Sequence, residues 1–188
     1  RDTDRSRGLG DVYKRQEGQA SIQMTGGTVH GVIGGGLSYA YDTTGKFVST
    51  SAVGSSAVSI SGDSTVEAIT YLAAGDEVNI SAAVVGGGVS WNKKNSETTT
   101  LTSTSDASSV VIDGATINDN VVGGGYAYGS GSETAVKSAS LTISNAELGS
   151  SGKEVNVYAG GVASANAKSS SVESALLQIT ATKVSGSV

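Results

Sequence analysis

The sequence predicts an all-β chain folded as a parallel β-solenoid with coils of about 36 residues, and three observations carry that reading. Two apolar residues run into a glycine cluster four times, at Val32-Ile33-Gly34-Gly35-Gly36, Val84-Val85-Gly86-Gly87-Gly88, Val121-Val122-Gly123-Gly124-Gly125 and Val157-Tyr158-Ala159-Gly160-Gly161. Between the clusters an apolar pair alternates with polar residues, at Ile22/Met24, Val58/Ile60, Val110/Ile112, Leu141/Ile143 and Leu177/Ile179. The two signals recur at matched intervals: 36 residues separate Gly123 from Ala159 and Ile143 from Ile179, and 37 separate Gly86 from Gly123. A repeat of this length means stacked units with a continuous core rather than a globule around one pocket.

Each element has a local reason. In Leu141-Thr142-Ile143 and Leu177-Gln178-Ile179 the alternation buries one face of a strand. A small turn follows each pair (Gly26-Gly27, Gly62-Asp63, Gly114-Ala115, Asn145-Ala146, Ala181-Thr182), then a further apolar residue at Val29, Val66, Ile117, Leu148 or Val184. The glycine clusters have two readings. They permit positive φ at a corner, or they remove side chains where a strand crosses a narrow core. The interval from Gly34 to Gly86 is 52 residues, which places about one extra half-unit within 63–83.

The two ends differ from the body. Asp11-Val12-Tyr13-Lys14-Arg15-Gln16 matches the translation of a transposase adapter used in sequencing libraries, and all four arginines precede Glu17. Residues 1–16 are read as non-native, adapter-like and disordered, and are set aside from fold reasoning. At the other end, Lys183 to Val188 aligns with Thr116 to Val121 and stops one step before the next glycine cluster. Residues 17–188 are therefore expected to be a solenoid repeat region truncated at both ends.

Composition limits the function classes. From residue 17 onward, 7 lysines face 14 acids. That balance argues against nucleic-acid binding and against a polybasic membrane patch. No stretch approaches the ~20 apolar residues of a membrane helix. There is no cysteine, so no disulfide or thiolate metal site is expected, and there is no proline to interrupt a strand ladder.

Candidate chemistry is sparse. A phosphate-cradling loop needs Lys-Ser/Thr after its glycines, but Gly125 leads into Tyr126-Ala127-Tyr128. Calcium-binding β-rolls need a G-G-x-G-x-D run that is absent, so Asp113, Asp119, Asn118 and Asn120 read as turn residues. His30 is the sole histidine and is expected to face solvent. The acids, Glu133, Glu147, Glu154 and Glu173 among them, read as scattered singly. No catalytic residue, cofactor site or metal site is assigned. The run Thr98 to Thr104 suggests ice binding, which requires Thr-x-Thr rows on successive coils. One array does stand out: stacking would align Tyr39, Trp91 and Tyr128 as a strip. It is either a contact surface for a glycan or protein partner, or an aromatic ladder that supports the stack.

The segments VVGGGYAYGSGSETAVKSASLTISNAEL and VNVYAGGVASANAKSSSVESALLQITAT together resemble the repeats of bacterial autotransporter-type passenger domains and related surface adhesins. The resemblance implies a right-handed parallel β-helix displayed outside a Gram-negative cell, anchored to the outer membrane through regions outside this sequence. It departs from the family where asparagine often precedes the V-x-I step: Ala57, Ser109, Ser140 and Leu176 stand there. The implied function is non-enzymatic: adhesion to a host or cell-surface glycan or protein, spacing, or self-association. The alternative is a fragment of a β-helical polysaccharide lyase or glycoside hydrolase, which would group acids with a basic residue in one cleft.

Overall fold

The computed structural model describes residues 18–40, 47–73, 76–93, 99–150 and 153–188. The adapter-like segment 1–16 lies outside the described residues. The chain is all-β, with parallel strands stacked in curled sheets, an arrangement consistent with a β-solenoid. Long strands form the broad sheet in the order β17 (Ser169–Thr180), β13 (Ser132–Ser144), β9 (Thr99–Asp113) and β4 (Phe47–Glu67), with β1 (Gln19–His30) on the far side of β4. The short strands β10 (Thr116–Ile117), β14 (Glu147–Leu148) and β18 (Lys183–Val184) continue that sheet past a turn.

Two further parallel sheets complete each rung. One stacks β2 (Val32–Ile33), β7 (Val84–Val85), β11 (Val121–Val122) and β15 (Val157–Tyr158). The other stacks β3 (Leu37–Ala40), β8 (Val89–Asn92), β12 (Tyr126–Tyr128) and β16 (Val162–Ser164). Successive rungs in sequence are neighbours in space.

Register follows the repeat. Leu141 pairs with Leu177 and Ile143 with Ile179, as the 36-residue interval predicts, and Ile22 pairs with Val58 across the same interval. Val58 pairs with Val110 and Val110 with Leu141, across 52 and 31 residues. The long interval holds an antiparallel hairpin, β5 (Ile69–Ala73) with β6 (Asp76–Ile80). The insertion thus falls within the predicted stretch, but it is a hairpin on the side of the stack and not a half-unit of it.

The inward rows fill one continuous core. Val58, Ile60, Val66, Val84, Val110, Ile112, Ile117, Val121, Leu141, Ile143 and Leu148 are almost wholly buried and pack together. Leu177 and Ile179, expected to be buried, are only half-buried, as are Ile22 and Met24. These residues belong to the outermost described rungs, where each inner face has a neighbour on one side only.

The glycine clusters mark the thin part of the core. None of the glycines at 34–36, 86–88, 123–125 or 160–161 has positive φ. Positive φ falls instead on the row after the long strand: Gly62 (64°), Gly114 (74°), Asn145 (50°) and Ala181 (48°). The two readings of the glycines are thereby divided between two places. The turn row is the corner, and the clusters are close approaches. A Cβ on Gly124 would lie 2.5 Å from Val172 Cγ2 and 2.9 Å from the Gly160 carbonyl oxygen.

Serines tie the glycine arcs to the broad sheet. Ser56 Oγ donates to Gly86 O at 2.6 Å, Ser170 Oγ to Gly125 O at 2.8 Å, and Ser108 Oγ to Gly123 O. Ser38 and Ser90 donate to the carbonyls of Thr102 and Glu133, each at 2.8 Å. One half of the interior is therefore apolar and wide, and the other is polar, narrow and hydrogen-bonded.

This division predicts unequal costs at equivalent glycines. Gly124→Ala forces overpacking against backbone and should destabilise by about 1–3 kcal/mol or more. Gly160→Ala, whose Cβ would meet nothing within 4 Å, should stay within about 0.5 kcal/mol of the parent. Denaturant midpoints of the two variants check this, and equal losses would restore the corner reading.

Candidate functional site

Residues alternate across a strand, so the second apolar residue of each step points away from the core. Val85 and Val122 accordingly leave the main cluster and join a second one with Val89, Trp91, Tyr126, Ala82, Ile69 and Ile80. The two isoleucines come from the start and end of the β5–β6 hairpin. The hairpin therefore contributes apolar cover to the outer row. Half-buried Ile33, Tyr39, Tyr128 and Val162 pack at its margins.

The predicted strip assembles on this cluster. Tyr39 pairs with Trp91 and Trp91 with Tyr128, in register on three successive rungs, and Ser164 follows. The rings stack at centroid separations of 5.4 and 5.5 Å, each pair inclined by 13°. Trp91 is only 5% exposed, with a tyrosine on each face. The geometry is that of a supporting ladder. Tyr39 and Tyr128 at its two ends are half-buried, and the Tyr39 hydroxyl itself is buried. Burial raises the Tyr126 phenol above its ordinary range, the neighbouring Tyr128 adds to this, and a hydrogen bond with Ser164 opposes it.

The first two backbone N–H groups of the glycine arcs at 34, 86 and 123 bond to the next rung. Gly34 donates to Val85 O, Gly86 to Val122 O and Gly123 to Tyr158 O, each at 2.8 Å. The threonine run does not form regular outward rows. Thr102 pairs with Thr50 on one side and Glu133 on the other, and Thr104 has alanines on both. Thr99 and Ser103 point inward. His30 is exposed, in register with Glu67.

The residues read as turn formers do more than turn. Asn120 Oδ1 accepts from the Asn156 amide at 2.7 Å, and Asn156 Oδ1 accepts from the Ser187 amide at 3.1 Å, so asparagines make a ladder just before the apolar step. Asn118 Nδ2 donates to Glu67 Oε1 at 2.7 Å. Asp113 accepts from Asn145 Nδ2 and Ser144 Oγ, both at 2.8 Å, and these two bonds hold its carboxyl below the usual carboxylate range. That contribution is present at neutral pH and is lost in acid, as pH falls through the lowered value.

Three other acids join neighbouring rungs through lysines. Glu133 meets Lys168 at 2.8 Å, Glu147 meets Lys183 at 3.1 Å, and Asp106 meets Lys137. These pairs are exposed and worth little individually. The separations of 36 and 31 for Glu147–Lys183 and Asp106–Lys137 follow the strand register, a signal that could have found them, while Lys168 lies one residue before Ser169, the register partner of Glu133.

The expectation of singly scattered acids fails at one place. Asp106, Lys137 and Glu173 line one surface depression of about 250 Å³ together with Thr104, Ser105 and Ser171. They meet there because they share one register position: the pairing of Ser105, Val136 and Val172 precedes it, these three are skipped, and the pairing resumes at Ala107, Ser138 and Ser174. Ser105 Oγ is buried beside them with no hydrogen-bond partner in the structure. Among the described residues, no three His, Cys, Asp or Glu side chains group closely enough to hold a metal ion.

Compared with protein-family models, with curated proteins and with solved structures, the chain matches none.

The ladder reading predicts that Trp91→Ala costs about 3–5 kcal/mol of stability, as for a large buried aromatic. Trp91 is the only tryptophan, so its fluorescence reports the site directly. Emission should be blue-shifted and shielded from iodide until the chain unfolds. Ready quenching, with a cost below about 1 kcal/mol, would indicate an open contact strip instead.

Proposed function

We propose that this chain is a repeat module of a surface-exposed bacterial passenger or adhesin, acting by adhesion, spacing or self-association rather than by catalysis. In this reading the stack is a right-handed parallel β-helix with an elementary coil of about 36 residues. The observation that carries the proposal is the long parallel stack, in which the same side-chain rows recur on successive rungs. Such a body projects a repeated surface over a distance set by rung number, and its stability accrues between neighbours. The autotransporter-like repeat pattern supports display at the cell surface, with outer-membrane anchoring supplied elsewhere in the full protein. The partner would be a host or cell-surface glycan or protein.

The Asp106–Lys137–Glu173 depression is where the runner-up reading would have to reside, since lyases and hydrolases place acids beside a basic group. One experiment separates them. Beads coated with the chain should retain bacterial or host cells, or immobilised cell-surface glycans, while leaving soluble polysaccharides uncleaved. Polysaccharide cleavage abolished by Glu173→Gln or Asp106→Asn would overturn the module reading in favour of a β-helical enzyme.

A further inference from the structure

The depression that holds Asp106, Lys137 and Glu173 is built from two rows running across three rungs. Thr104, Ala135 and Ser171 stand in register on β9, β13 and β17 and form one row. Asp106, Lys137 and Glu173 lie two positions further along the same strands and form the other, with Ser105 and Val136 between the rows. Ser105 and Val136 are buried, so strand alternation turns both flanking rows outward. One wall is therefore short and bears hydroxyls, and the other is charged, with the Lys137 ammonium on the Asp106 carboxylate. On the β4 rung the same two positions hold Ala52 and Gly54, so the polar rows stop at Thr104 and Asp106. The depression opens on the outer face of the broad sheet. Rungs add at the edge of that sheet, so further coils would lengthen these rows without covering them.

We propose that this depression is a binding site for a neutral saccharide chain lying along the stack axis. The inference deepens the glycan part of the module reading and rests on that reading for its biological setting. The two carboxylates, the ammonium and the Thr104 and Ser171 hydroxyls offer acceptors and donors to sugar hydroxyls from both walls. Ala135 between them gives the ring an apolar contact. A volume of about 250 Å³ falls below the ~300–1,000 Å³ of drug-sized pockets, which suits about one or two sugar rings. Charge selects against acidic sugars, because acids outnumber the lysine in the site and 14 acids face 7 lysines from residue 17 onward. Period selects against a peptide. Side chains on one face of an extended peptide recur every ~6.6 Å, whereas rungs recur every ~4.8 Å. The backbone of β13 is also paired on both sides, which leaves a peptide no main-chain ladder to join. A saccharide needs no such ladder, since each ring brings its own hydroxyls.

The test titrates the full chain with linear oligosaccharides of glucose, galactose and mannose, from single sugars to about six units, and with oligogalacturonate as the acidic comparator. Calorimetry gives the affinity and amide NMR shifts give the place. A neutral series should bind, with shifts centred on residues 104–106, 135–137 and 171–173. Affinity should rise with length and level off at about three units, because the rows span three rungs, or ~9.6 Å. Ala135→Arg fills the depression and should abolish binding. Glu173→Gln, an exposed change outside the core, should weaken binding about tenfold through loss of a charge-assisted hydrogen bond. Glu147→Gln, which lies in a different row, should bind as the parent does. Circular dichroism matching the parent confirms that the variants keep their strands.

Failure of all three neutral series to bind overturns the proposal. So does binding that survives both Ala135→Arg and Glu173→Gln, and so does tighter binding of oligogalacturonate. Coated beads separate the proposal from the module reading. Cells retained by a parent that binds no neutral oligosaccharide sink this site and leave the module standing. Oligosaccharide binding at the depression with no cell retention keeps the site and sinks the module reading alone.

Discussion

Hydrogen bonding between one rung and the next is the constraint on which everything else in this structure depends. In a parallel stack each backbone donor finds its acceptor on the neighbouring rung, about 4.8 Å away. That pairing turns every position of the repeat into a row, so a residue's main neighbours are its counterparts above and below. The valine and isoleucine rows become a core, the Tyr39–Trp91–Tyr128 row becomes a ring stack, and Asn120 with Asn156 becomes an amide ladder. A side chain at one point in the rung cannot exceed the space its row allows. This is why glycine recurs where an arc lies against both its neighbours and the opposite strand.

The same constraint sets how stability is distributed. Residues on internal rungs bury their inner faces on both sides, and Val110, Ile112, Leu141 and Ile143 have no exposed area. The outermost described rungs bury theirs on one side. Stability in such a body is close to a sum of nearest-neighbour terms. Polar groups contribute specificity within that sum, because Ser56, Ser108 and Ser170 each reach a glycine carbonyl that a slipped register would leave unpaired.

Much of this was readable from the sequence, and the rest was hidden for physical reasons. The apolar alternation fixed which residues point inward, and the 36-residue spacing of Leu141/Ile143 and Leu177/Ile179 gave their pairing. The aromatic row was readable for the same reason: three rings at one repeat position must stack if the repeat stacks. The loops were not readable, because a corner can lengthen without disturbing a row. A short corner at 129–131 brings Val110 and Leu141 together across 31 residues, and a hairpin fills the long interval. Hairpin residues Ile69 and Ile80 carry no mark of the outer cluster they cover. The Asp106–Lys137–Glu173 grouping follows from the unequal steps of the register: Lys137 and Glu173 are 36 residues apart but Asp106 and Lys137 only 31, so a uniform repeat does not bring all three together.

The register of the stack is the central claim, and a cysteine-free chain allows it to be tested by cross-linking. Val111 and Thr142 are in register on adjacent rungs. Adjacent-strand spacing falls within the ~4.4–6.8 Å between Cα atoms that a disulfide spans. Val111→Cys with Thr142→Cys should therefore close to a disulfide on mild oxidation. A uniform 36-residue step would instead bring Glu147 opposite Val111. A disulfide in the Val111→Cys, Glu147→Cys pair, with the Val111→Cys, Thr142→Cys pair remaining reduced, would contradict the account.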